Sequence, residues 1–406
     1  MPMDLDEDFQ AIRDGFYQAP LDPDPPGPLS IRPERSIFPD NKTAEPWESL
    51  YHIGYKDVLD EAFDSYLDRG SVLPRTKKRA HFMKAGRSML AAMSEQTVVS
   101  IMDGTVAEYC RSKTTRPHLG KFAMDAESER QVQSRTRTYQ PVFYASYLVN
   151  SQGLPPTQID LGHIANYVEG YVKGTQPDFN QKIDSQLPGM PNWLDRSRGD
   201  RRYLMIDEED EIEEALEFVE AVRGRIPSLP YSTERARGLC GFGVTNNATM
   251  CFHYHQCHQG GRSLMYLVEA ICLYLFKDYK IRHEIVFKAF DPDHLWAGEI
   301  LLNCIGKGFR DTGYGFGFLG RDMEFQESAM ARVDESHWLM WEKRAIKQTP
   351  LLANLSARIG KLQEKRRFAE RNPPDYLRED EAYVANCREE SVLIGMLHGY
   401  KAKVEV

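Results

Sequence analysis

Leu50, Ile53, Val58, Leu59, Ala62, Phe63 and Tyr66 recur at the three-to-four-residue spacing that gathers side chains on one helix face. Gly70 and Pro74 close the run, so the pattern predicts a helix beginning at Trp47. Val142–Val149 is apolar nearly throughout and too short for its period to separate strand from helix. Thr157 followed by Asp160 at the capping-box position predicts a helix N-terminus, continued by Ile164, Val168 and Val172. Between Asp207 and Val222, Ile212, Ala215, Leu216, Val219 and Val222 form one stripe, and nine carboxylates occupy largely the other faces. These carboxylates are spread around the helix and cannot converge on one ion.

After Pro227 the chain becomes Gly-punctuated, with apolar runs at 239–245, 264–276, 284–290, 295–305 and 314–319. Short strands mixed with helices of medium length predict a compact mixed α/β core there. Two long helices follow, broken at Pro350, the second ending in the basic stretch 361–367 before Pro373 and Pro374; another helix and an apolar run at 391–397 complete the pattern. His337, Trp338 and Trp341 read as core packing. The expected fold class is therefore α+β: residues 1–46 a disordered arm, 47–225 mainly helical, 226–322 the α/β domain, and 323–406 helical.

Composition narrows the function classes. The 406 residues carry a net charge of −9, with 41% hydrophobic and 27% charged residues, as in ordinary globular proteins. The longest apolar stretch, 264–276, is interrupted by Glu269 and falls short of a bilayer span, so no membrane partner is expected. The acidic start of the chain does not have the layout of a secretory signal, and the seven dispersed cysteines do not form a disulfide framework. An intracellular protein, nuclear or cytoplasmic, is expected. The arm, with eight prolines between Pro20 and Pro46 and little apolar periodicity, and the C-terminal helices are the expected contacts for protein partners.

The acidic average conceals a basic window. Arg75, Lys77, Lys78, Arg79, Lys84 and Arg87, continued by Arg111, Lys113, Arg116 and Lys121, face only Glu95, Asp103 and Glu108 in the same window. Two readings follow: a phosphate-contacting nucleic-acid surface, or a solvated helix face paired with the acidic helix.

Candidate chemistry concentrates in Cys251, His253, His255, Cys257 and His258, with Cys240 upstream. Zinc takes four tetrahedral thiolate or imidazole ligands, normally as two spaced pairs, and no second pair exists here, although His283, His294 and Cys304 could approach. A structural zinc site is one expectation; soft side chains packed inward are the other.

Tyr231, then Gly241–Asn247, Cys251 and His255, Glu299, and the run Gly313–Gly317 together resemble the GIY-YIG nuclease superfamily over about ninety residues. The resemblance implies two strands before a helix, a tyrosine that helps activate water, an arginine at the phosphate and a glutamate on a later helix holding a divalent cation, Mg or Mn. It assigns Tyr231 and His255 to catalysis and Glu299 to catalysis and metal binding. Gly241 stands where the second motif has tyrosine, and Cys251 stands where the family has arginine, so the implied phosphodiester hydrolysis is degenerate. The function expected from sequence is thus a nucleic-acid-associated protein with a degenerate nuclease-like core. The alternative is a non-enzymatic regulatory or protein-interaction protein.

Overall fold

The computed structural model describes residues 41–68, 79–107, 140–175, 177–185, 202–203, 209–226, 237–246, 248–256, 258, 263–316, 333–371 and 381–405. At its centre lies a three-stranded antiparallel sheet in the order β2-β1-β3, built from β1 (Val142–Val149), β2 (Cys240–Thr245) and β3 (Lys280–Lys288). All eight residues of β1 are buried. That explains why its sequence carries no alternation: both faces meet protein, so both must be apolar or hydrogen-bonded.

One face of β1, through Phe143, Ala145 and Tyr147, enters the larger core. Phe242 of β2 and Phe287 of β3 share that face, since they pair in register with Ala145 and Phe143. Helices α2 (Tyr55–Asp68), α3 (Arg79–Ala92), α4 (Glu95–Asp103) and α10 (His294–Ile305) contribute the rest of this core with α1 (Asn41–Ile53). Contact is close: a Cβ on Gly298 of α10 would sit 2.6 Å from both the Phe143 ring and Met89. Leu148 leaves the opposite face for a second core, formed with α5 (Gln158–Lys173), α6 (Pro177–Asp184), α7 (Glu209–Arg225) and α9 (Ser263–Leu275). The sheet is therefore the filling between two helical layers, with α8 (Ala248–Gln256) on the second side.

The predicted α+β class is observed. The capping box forms as expected: the Thr157 side chain accepts from the Asp160 amide while Asp160 accepts from the Thr157 amide. Three expectations need correction. Helix starts at Asn41, inside the expected arm, and the helix predicted from Trp47 is two, α1 and α2, parted at Gly54. A boundary at 226 would cut the sheet, because β1 from the expected helical region is its middle strand. A boundary at 323 would likewise divide one core, since α11 (Glu335–Gln348), α12 (Leu351–Arg371) and α13 (Glu381–Glu405) supply Trp341, Leu355 and Leu393 to the larger cluster. All described residues belong to one unit, 38–406.

Helix C-termini expose unsatisfied carbonyls and a partial negative charge. Here side chains distant in sequence close them. Asn354 of α12 donates to the carbonyls of Ala91 and Met93, each at 2.9 Å, after α3. Arg358 donates to the Tyr51 and His52 carbonyls at the end of α1. Arg237, buried just before β2, donates to Ile101 and Met102 in α4 and to Gly306 after α10. One guanidinium thereby ties two helix ends to the sheet.

Between α3 and α10, His294 is fully buried; its Nδ1 accepts from the Phe290 amide at 3.4 Å, which places the proton on Nε2 for Ser88 Oγ at 2.6 Å. Ser88 in turn donates to the Ala85 carbonyl. This tautomer cannot take a proton from Ser88, so the pair is structural. Burial lowers the His294 pKa from 6.5 to about 4. The unfolded chain therefore binds a proton that the folded chain refuses, and stability falls as pH drops from about 6.5 towards about 4. Urea titrations should show this slope, up to about 1.4 kcal/mol per pH unit, reduced by that amount in His294→Asn; an unchanged slope would contradict the assignment.

Candidate functional site: a histidine and tyrosine network on one sheet face

On the sheet face opposite α10, the strands carry polar groups. Tyr144 and Ser146 lie on β1, and His283 lies opposite Ser146 on β3. Their partners on β2 are Gly243 and Gly241, so that strand places no side chain opposite Tyr144 or Ser146. The alternation Gly241-Phe242-Gly243 is thus a strand device: Phe242 fills one core, and the glycines leave space on the other side.

Helix α8 packs on this face against Tyr144 of β1 and His283 of β3. Phe252 stacks on His283 at 5.1 Å, and His255 stacks on His283 from the next turn at 4.6 Å between centroids. His283 Nδ1 meets Ser146 Oγ at 2.8 Å. His255 is buried and engaged at both nitrogens: Nε2 lies 3.0 Å from Tyr144 Oη and 3.4 Å from Cys251 Sγ, while Nδ1 lies 2.6 Å from Tyr266 Oη. With the proton on Nδ1 and donated to Tyr266, the lone pair at Nε2 receives the Tyr144 hydroxyl and the Cys251 thiol.

A second histidine extends the network. His258, at a positive φ of 52°, follows α8, and its ring stacks on Tyr266 at 5.0 Å. Burial raises the Tyr203 pKa, keeping its hydroxyl a donor to His258 Nδ1 at 2.8 Å. Nε2–H of His258 then donates to Glu269 Oε2 at 2.9 Å. Glu269, the single charge that interrupts the apolar stretch 264–276, also accepts from the Ile281 amide at 2.8 Å. Its carboxylate thus joins α9, the start of β3 and the end of α8.

The sequence-predicted residues fall in different places. His255 is at the heart of this network. Glu299 is on α10, a helix packed against the Phe143 face, so the helices carrying His255 and Glu299 lie on opposite sides of the sheet. Tyr231 lies outside the described residues, as do Arg75, Lys77 and Lys78. Two members of the basic window are already bound within the chain. Arg79 pairs with Asp60 and Asp64 of α2, and Arg87 forms a buried two-pronged pair with Glu389 of α13 at 2.9 and 2.5 Å. Arg79 and Arg87 thus make intramolecular ion pairs, and the partner of Arg79 is α2 rather than the acidic helix. Lys84 is exposed.

The zinc expectation does not fit these residues. Among the described residues, no three His, Cys, Asp or Glu side chains converge as metal ligands. Cys240 is sealed in the other face, where its thiol donates to the Gly306 carbonyl and burial pushes it up to about 11. Cys251 and His255 approach one another as i and i+4 on one helix, but tyrosines occupy the histidine. The side chain of His253 and the whole of Cys257 lie outside the described residues.

Sequence reasoning named His283 as able to approach the cluster, and it stacks on His255; it missed Tyr144, Ser146, Tyr203, Tyr266 and Glu269 as partners. Glu269 alone carried a signal, an acid within an apolar run. Compared with family models, curated proteins and solved structures, the chain matches none.

Removing the Glu269 carboxylate leaves the part-buried Ile281 amide and the buried His258 ring without that acceptor. Such orphaned groups cost about 1–3 kcal/mol each, so Glu269→Ala is expected to lose about 2–5 kcal/mol in chemical denaturation. A loss below about 0.5 kcal/mol would show that the network does not bind these elements together.

Proposed function

We propose that the chain is a nucleic-acid-associated protein on a nuclease-like core, acting by binding rather than by phosphodiester hydrolysis. The observation that supports the core is the order of its elements. β1 and β2 are antiparallel neighbours, with α5, α6 and α7 between them in the chain, and precede α8; α9, β3 and then α10 with Glu299 follow. Once these intervening helices are allowed for, the order parallels the two strands, helix and later helix with glutamate that the GIY-YIG resemblance implies, with 142–149 as the first strand in place of the segment around Tyr231.

The site chemistry argues for binding without turnover. Where the resemblance requires an arginine, α8 offers the Cys251 thiol, which cannot neutralise charge developing on a phosphoryl group; loss of such a preorganised group costs about 10²–10³ in rate. Glu299 could furnish one carboxylate to a divalent cation, but the described side chains gather no further ligands around it.

A specific observation favours the second reading, a non-enzymatic regulatory or protein-interaction protein. The intramolecular pairing of Arg79 and Arg87 withdraws both from a phosphate surface. Anisotropy with short DNA and RNA duplexes in magnesium separates the two. The first reading predicts binding that weakens steeply between about 50 and 200 mM salt, without strand cleavage, and further weakening in Lys84→Glu. No binding at low salt, or binding indifferent to salt, would leave the interaction reading standing, and strand cleavage would overturn the claim of lost hydrolysis.

A further inference from the structure

The Cys251–His255 pair has a second geometric meaning, independent of the nuclease-like reading. A thiol becomes a nucleophile when a base lies within hydrogen-bond reach and a third group orients that base. Cys251 Sγ is 3.4 Å from His255 Nε2, and Tyr266 Oη fixes the other nitrogen at 2.6 Å. The ring is clamped as well, by stacking on His283. Cys251 is half-buried, whereas His255 behind it is buried.

We propose that Cys251 is a nucleophilic thiol with His255 as its base, forming a covalent modification site for soft electrophiles. In the step, the thiol proton passes to His255 Nε2, a sulfur electron pair forms the bond to the electrophilic carbon, and the leaving group departs with its bonding pair. Tyr266 accepts from Nδ1–H and holds the imidazolium that results.

The other described cysteines provide contrast. Cys240, Cys272 and Cys304 are buried, with Cys240 and Cys304 donating to the carbonyls of Gly306 and Ala62. Cys387 on α13 is half-buried like Cys251 and its thiol is hydrogen-bonded to Tyr383 rather than to a histidine, which makes it an internal reference. The buried Ser88–His294 pair offers no parallel, because its histidine donates to the serine.

Iodoacetamide is a suitable probe: a carbon–sulfur bond forms, the carbon–iodine bond breaks and iodide leaves. Alkylation of the native full chain, resolved cysteine by cysteine by peptide mass spectrometry, is expected to be at least about tenfold faster at Cys251 than at Cys387 near pH 6.5. The advantage should shrink towards unity above about pH 9, where ordinary thiols ionise unaided. His255→Asn should bring Cys251 to the rate of Cys387, and Tyr266→Phe, which keeps the ring, should slow it several-fold. Equal rates at Cys251 and Cys387 across the pH range in the native protein would overturn the proposal without recourse to any variant. So would an unaltered Cys251 rate in a folded His255→Asn protein.

Discussion

Strand β1 has no face turned towards water, and most of the molecule follows from that. A strand buried on both sides must be hydrogen-bonded on both edges and covered above and below. β2 and β3 supply the edges from more than ninety residues further along the chain, and two helical layers supply the covers. Elements from the beginning and the end of the described chain meet in the larger layer, where Arg87 of α3 holds Glu389 of α13. Capping of helix ends by Asn354, Arg358 and Arg237 completes the same task, satisfying polar backbone at the rims of a core that water does not reach.

The two faces of β1 carry different chemistry. Phe143, Ala145 and Tyr147 give one face an apolar surface for α10, while Tyr144 and Ser146 begin the polar network that anchors α8. Buried polar groups are tolerated when their hydrogen bonds are made. His255 makes contacts at both nitrogens and His258 does too, so the network fixes α8, α9 and β3 relative to one another. This division also separates Glu299 from His255, which the linear spacing of the resemblance could not foresee.

Local signals were legible in the sequence and long-range ones were not. Thr157 and Asp160 announced their cap because a capping box is closed within four residues. Trp338 and Trp341 announced packing because they share a helix face. Val142–Val149 hid its role because a strand buried twice loses its alternation. His283 and Ser146 gave no hint of one another, since a cross-strand pair exists only after register is set. Arg79 and Arg87 looked like a phosphate surface because their carboxylates, Asp60, Asp64 and Glu389, stand outside the window in sequence. Of the candidate site, Cys251, His255, His258 and the approach of His283 were visible, and the tyrosines, Ser146 and Glu269 that bind them were not.

Native-state hydrogen exchange of the β1 amides tests the central dependence most directly. If both layers and both neighbouring strands rest on β1, amides from Phe143 to Leu148 will exchange only through global unfolding, with the full free energy of unfolding, and later than those of α12 and α13. Exchange of β1 through a local opening, at a free energy well below the global value and while the helical layers stay protected, would contradict the account.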